Sequence, residues 1–161
     1  MGLFPLSTMK KYMLKPWPLL LAVALLPLYA SAQSSLTSFL PKKDLGLFLA
    51  SNFDLHSIRS SFGPRHATGL HSFADFGLKP HKVTADSVEF REDEWLYRLT
   101  IGARGDMNSD GIEDVVVCLF EQREGVGGYL GDQALLLTRY SATTPVIAIR
   151  FEVEDCAKSG K

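Results

Sequence analysis

The chain has 161 residues, 46% apolar and 22% charged, a balance that suits a folded domain and excludes intrinsic disorder. That length supports one domain with its own core. Residues 1–32 hold Lys10, Lys11 and Lys15 and no acid, so 14 basic and 18 acidic groups remain in 33–161, a net charge of −4 that argues against nucleic acid as a partner.

From Met9 the chain reads Met-Lys-Lys-Tyr-Met-Leu-Lys, then an apolar run from Trp17 to Ala30 that ends in Ala30-Ser31-Ala32. A basic start, a short apolar run and a small-x-small site describe a secretory signal peptide over 1–32. The run holds 14 residues and is interrupted by Pro18 and Pro27, whereas a membrane-spanning helix needs about 20. No Cys lies near the cleavage point. The expectation is an exported, periplasmic protein without a membrane anchor, with 33–161 as a single α+β domain.

Between Ser34 and Phe62 the spacing of Leu40, Leu45, Phe48 and Leu49 predicts helix, with Pro41 suited to a first turn. Asp54 then reads as the N-cap of a second short helix carrying Leu55, Ile58 and Phe62, stopped by Gly63-Pro64. Residues 63–86 have no clear period and predict a long surface excursion with one strand. From Ser87 the period becomes two. Trp95, Tyr97, Leu99 and Ile101 alternate with Leu96, Arg98 and Thr100 as in a half-buried strand. Val115–Phe120 is short, apolar and β-branched, as in a central strand. Gly125–Gly128 marks a turn, Ala134–Tyr140 a further strand, and Ile147–Val153 an amphipathic one. Short helices followed by consecutive strands predict an α+β fold with an antiparallel sheet.

One segment carries ligand chemistry. Asp106, Asn108, Asp110 and Asp114 place oxygen-bearing side chains at positions 1, 3, 5 and 9 of a loop, with Gly111 at position 6 and the Ile112 carbonyl available at position 7. Ca²⁺ takes about six to eight such oxygens. The closing Glu of a paired-helix site is replaced by Val117 at position 12, so Asp114 must ligate directly and water must complete the shell. The loop resembles the D-x-N-x-D-G-x-x-D loops of the FG-GAP and dockerin families over nine residues. An Asp/Asn/Gly-rich turn without an ion is the alternative. A bound ion would be structural, clamping a β-hairpin and holding Met107 and Ser109, at the even positions, outward for contact with a partner.

Export makes Cys118 and Cys156 a candidate disulfide closing a 38-residue loop, worth about 4 kcal/mol in the chain-entropy account. Cys118 also suits a free buried thiol within an apolar run. His56, His66, His71 and His81 lack paired metal spacing and are expected to be solvated or capping. No nucleophile elbow, Walker loop or dinucleotide fingerprint occurs, so no enzyme activity is expected.

Ile58–Pro64, Gly105–Asp114, Leu135–Tyr140 and Ile149–Cys156 resemble the periplasmic immunity proteins that protect bacteria from peptidoglycan amidase effectors of type VI secretion. The resemblance implies an inhibitor that occludes a Cys–His amidase site, with a loop hydroxyl, here Ser109, hydrogen-bonding the catalytic pair. A calcium-stabilised periplasmic domain without a toxin partner is the alternative.

Overall fold

The alternation that begins at Ser87 becomes a six-stranded antiparallel sheet in a computed structural model that describes residues 36–125 and 127–151. The expected signal peptide and Cys156 lie outside the described residues. The strands are β1 Pro80–Val83, β2 Ser87–Glu92, β3 Trp95–Gly105, β4 Asp114–Arg123, β5 Tyr129–Thr138 and β6 Ile147–Phe151, and their order in the sheet is their order in the chain. Such a meander needs only short reversals, and each turn segment between the periodic runs supplies one.

One face of the sheet carries Val88, Phe90, Tyr97, Leu99, Val115, Val117, Leu119, Leu135 and Leu137, all buried. Against it pack Leu45, Leu49 and Ala50 of the helix α1 (Leu45–Asn52), with Phe53, Leu55, Phe73 and Leu78 from the segments that follow. Phe73 stacks on Phe90 with ring centroids 4.5 Å apart. Burying each large apolar side chain contributes about 1.5–3 kcal/mol, and this layer holds most of the fold together. β4 is the central strand expected from Val115–Phe120, and on its other face Val116 and Cys118 are buried as well. Among the described residues the result is a mixed fold, mostly sheet, with one short α-helix.

The helical region differs from its periodicity. Residues 36–41 precede α1, and there Thr37 pairs in parallel with Ile112. At the other end Phe53 turns extended, with ψ 119°, and pairs with Val146. Asp54 caps as expected, accepting the His56 N–H at 2.9 Å. The turn it starts is a single 3₁₀ turn, Leu55–Ser57, rather than a second α-helix, because the Ser57 and Ile58 N–H groups close on carbonyls three residues back. Among the described residues no helix is long and apolar enough to cross a membrane.

Candidate functional site

The β3–β4 reversal, residues 106–113, contains most of the ligand-type positions. Its side chains turn onto its own backbone. Asp106 Oδ1 accepts the Asp110 N–H at 3.0 Å and Asp106 Oδ2 accepts the Gly111 N–H at 2.9 Å. Asn108 Oδ1 shares the Asp110 N–H at 3.0 Å, and its Nδ2 donates to Asp110 Oδ2 at 2.8 Å. Asp110 Oδ1 accepts the Ile112 N–H at 2.8 Å. Two left-handed residues, Ser109 (φ 65°) and Gly111 (φ 81°), produce the tight path. Glycine adopts that conformation without strain and serine does not, so the serine is held there by the bonds on either side. Ser109 is exposed at the tip, whereas Met107 is half-buried.

The rest of the fold braces this loop. Thr37 donates its N–H to the Gly111 carbonyl at 3.0 Å and accepts the Glu113 N–H at 2.7 Å. That pairing leaves the Ile112 carbonyl outside it. Arg104 grips Glu113 with two parallel bonds, Nε to Oε1 at 3.1 Å and a terminal nitrogen to Oε2 at 2.8 Å, and donates to the Pro41 carbonyl at 2.9 Å. The Ser38 hydroxyl donates to the same carboxylate. Hydrogen bonding from Arg104 holds the Glu113 carboxyl below its ordinary range, against the opposing pull of burial.

Asp114, the first residue of β4, is fully buried. Its Oδ2 accepts the Met107 N–H at 3.1 Å, while its Oδ1 has no hydrogen-bond partner. A buried carboxylate oxygen without a donor costs about 1–3 kcal/mol or more, and a cation is one way of satisfying it. Each carboxylate oxygen also has a second acceptor direction, so the N–H bonds to Asp106 and Asp110 do not exhaust their capacity. The donor set Asp106, Asn108, Asp110, the Ile112 carbonyl and Asp114 is all oxygen, suited to a hard cation. Here those oxygens face backbone N–H groups rather than one centre, and among the described residues no three His, Cys, Asp or Glu side chains are gathered to hold a metal.

A second buried carboxylate escapes sequence reasoning because it sits at a core position of a strand. Glu121 on β4 is 1% exposed, and its Oε2 accepts the Gly63 N–H at 2.7 Å, tying the 58–64 segment to the sheet. Burial raises its carboxyl above the ordinary value. Tyr97 on the same face is pushed up to about 12 by burial and by Glu121. The Tyr129 hydroxyl lies near enough to the carboxylate to be raised by it. Glu121 Oε1 has no further hydrogen-bond partner.

Three of the four histidines converge, while His56, His71 and His81 are exposed as expected of solvated side chains. The His56 ring lies 4.7 Å from that of His66 and 4.5 Å from that of His71, while His81 stands apart on β1. His71 Nδ1 is 3.1 Å from Asp54 Oδ1. Asp54 and His71 also line an open cleft of about 200 Å³, together with Ser72, Asp75, Arg139 and Thr144. Arg139 is committed to structure there, donating to the carbonyls of Phe39, Ala142 and Thr144. The only sequence signal for this cluster was the capping role of Asp54.

Cys118 is buried on β4, no free cysteine occurs among the described residues, and Cys156 lies outside them. No protein-family model matches the chain, and no curated protein or solved structure matches it.

Proposed function

We propose that the protein is an exported inhibitor that uses its β3–β4 hairpin loop, clamped by a calcium ion, to block a partner protein, in the manner of an immunity protein against a cell-wall amidase effector. The observation that carries this reading is the braced loop itself. Ser109 is exposed in a left-handed conformation at its tip, while Thr37 and the Arg104–Glu113 pair hold its descending arm. A loop ordered before it binds avoids about 0.5–1.5 kcal/mol of ordering cost per side chain. A serine hydroxyl offered outward can both donate and accept a hydrogen bond, which suits a Cys–His pair in an amidase site. The N-terminal segment read as a signal peptide would take the chain to the periplasm, where peptidoglycan enzymes act.

The test is to look for a cysteine amidase encoded beside this chain and to measure its inhibition by the protein as peptidoglycan hydrolysis. Near-stoichiometric inhibition is expected, with Ser109→Arg weakening it by about tenfold or more, since a blocked contact at a desolvated centre costs at least about 1.4 kcal/mol. An amidase that stays fully active in excess protein refutes the reading.

The unpartnered Asp114 oxygen favours a second reading, a calcium-stabilised envelope domain with no toxin partner. Chelator-sensitive melting together with failure to capture or inhibit any neighbouring hydrolase selects it.

A further inference from the structure

Alternate residues of a strand point to opposite faces of the sheet, so a sheet packed by a helix on one side has a second side to cover. Here that second face carries Leu96, Val116, Cys118, Ala134 and Leu136, all buried. The register gathers them, with Val116 opposite Leu136 and Cys118 opposite Ala134. Among the described residues, every buried apolar side chain outside the strands belongs to the layer on the first face. On the flank of β2 and β3 the second face closes on itself. Arg98 donates to Glu89 Oε1 at 3.1 Å and lays its guanidinium 5.2 Å from the centre of the Phe120 ring. What remains is the strip from Val116 and Cys118 to Ala134 and Leu136, on the side toward β6.

The chain runs on from β6 at that place. Phe151 pairs with Leu135, the neighbour of Ala134, and ten residues follow, Glu-Val-Glu-Asp-Cys-Ala-Lys-Ser-Gly-Lys. They include Cys156, the second of the two cysteines of the chain, while no free cysteine occurs among the described residues. Their acidic residues Glu152, Glu154 and Asp155 complement Arg150, which is exposed and stands opposite Leu136. The reach from Phe151 to Cys156 exceeds the two strand spacings that separate β6 from β4.

We propose that residues 152–161 lie across this strip as a strap tethered by a Cys118–Cys156 disulfide, and that reduction of the bridge releases the strap and opens the face. The tether decides the outcome, because Val153, Cys156 and Ala157 bury too little apolar surface to offset the ordering of ten residues. The bridge forms by exchange with a disulfide-bearing oxidant. The two thiols give up two protons and two electrons, and the S–S bond of the oxidant is cleaved to two thiols that take them up. The strap is independent of the β3–β4 loop and of the inhibitor reading.

The test is amide hydrogen exchange of the full chain, followed by mass spectrometry on the 152–161 peptide, after treatment with oxidised glutathione and again in reductant. Supplying the oxidant makes the result independent of export. Exchange over 152–157 should be at least about tenfold slower in the oxidised protein, and Cys156→Ser should exchange as the reduced protein does. A chain ending at Phe151 should bind more of an apolar dye than the oxidised full chain, and if it does not fold the comparison of the two redox states still decides. Equal exchange in both states, or protection that survives Cys156→Ser, would overturn the strap. So would protection of 17–30 or a dimer with a freely exchanging tail, each of which would give the face another occupant.

Discussion

Asp114 and Thr138 stand opposite each other in the β4–β5 ladder, both fully buried, and each keeps one side-chain oxygen, Oδ1 and Oγ1, without a hydrogen-bond partner. Residues opposite each other in an antiparallel pair project to the same face, so the two unsatisfied oxygens lie on one face of the sheet at the base of the candidate ion loop. Replacing Asp114 by Asn removes the buried carboxylate, keeps an acceptor for the Met107 N–H, and supplies an N–H₂ donor on the face that carries Thr138. Without calcium, Asp114→Asn should therefore melt at or above the wild-type temperature. With calcium in about 100-fold excess over its dissociation constant, the wild type should gain about 2.7 kcal/mol and the order should reverse. Scanning calorimetry in chelator and in calcium checks this, and a wild-type transition indifferent to calcium would remove the ion from the loop.

Glu121 ties pH to stability in the opposite sense from an ordinary paired carboxylate. Its folded-state pKa is raised by burial, so the folded protein holds the proton more tightly than the unfolded chain. Its contribution is greatest below the unfolded glutamate value and is lost as pH rises through the raised one. Glu121→Gln keeps an acceptor for the Gly63 N–H and should flatten that part of the stability profile. Glu121→Leu leaves the Gly63 N–H unpartnered and should cost about 1–3 kcal/mol at every pH. Urea unfolding of the three proteins between pH 4 and pH 8 distinguishes these outcomes.

Glu113 behaves conversely. Its folded pKa is lowered, first by Arg104, so its contribution is fully present above the unfolded value and disappears as pH falls through the lowered one. Arg104→Gln removes the two-pronged grip and the bond to Pro41. It should destabilise the protein by about 1.5–3 kcal/mol at neutral pH, in the range of charge-assisted hydrogen bonds, and by less in acid. Amide hydrogen exchange should quicken at Gly111 and Glu113, at the loop's descending end. Unchanged exchange there would mean that the clamp does not order the loop.

The register of the sheet bears on the candidate disulfide. Phe151 pairs with Leu135, and Leu135 with Val117, the neighbour of Cys118. Two strand spacings are about 10 Å, and the five residue steps from Phe151 to Cys156 reach up to about 17 Å, so chain length permits a Cα separation of about 5.5–6 Å between the cysteines. A Cys118–Cys156 bridge should register in the intact mass without reductant, and Cys156→Ser should cost about 2–4 kcal/mol. Alkylation of both thiols in unreduced, unfolded protein would exclude it.

The strands from Ser87 onward were legible because each buries one face, and a buried face writes itself into the chain as alternation. The same holds for β4, buried on both faces and therefore continuously apolar, and for Asp54, whose cap is a contact with a residue two positions away. The Asp/Asn/Gly-rich turn at 106–114 is legible for that reason too, its side chains bonding backbone groups within seven residues of themselves. What periodicity could not carry were contacts between segments far apart in the chain. Thr37 on Ile112, Arg104 on Pro41, Gly63 on Glu121 and the histidine column each join residues that no repeat relates. The second helix expected there shortens to one 3₁₀ turn on similar grounds, since apolar spacing at Leu55, Ile58 and Phe62 records which side is buried, while the pairing of Phe53 with Val146 and of Leu55 with His71 decides how far the turn can run. Local hydrogen bonding and one-sided burial leave a mark on neighbouring residues; long-range packing leaves it only on the folded chain.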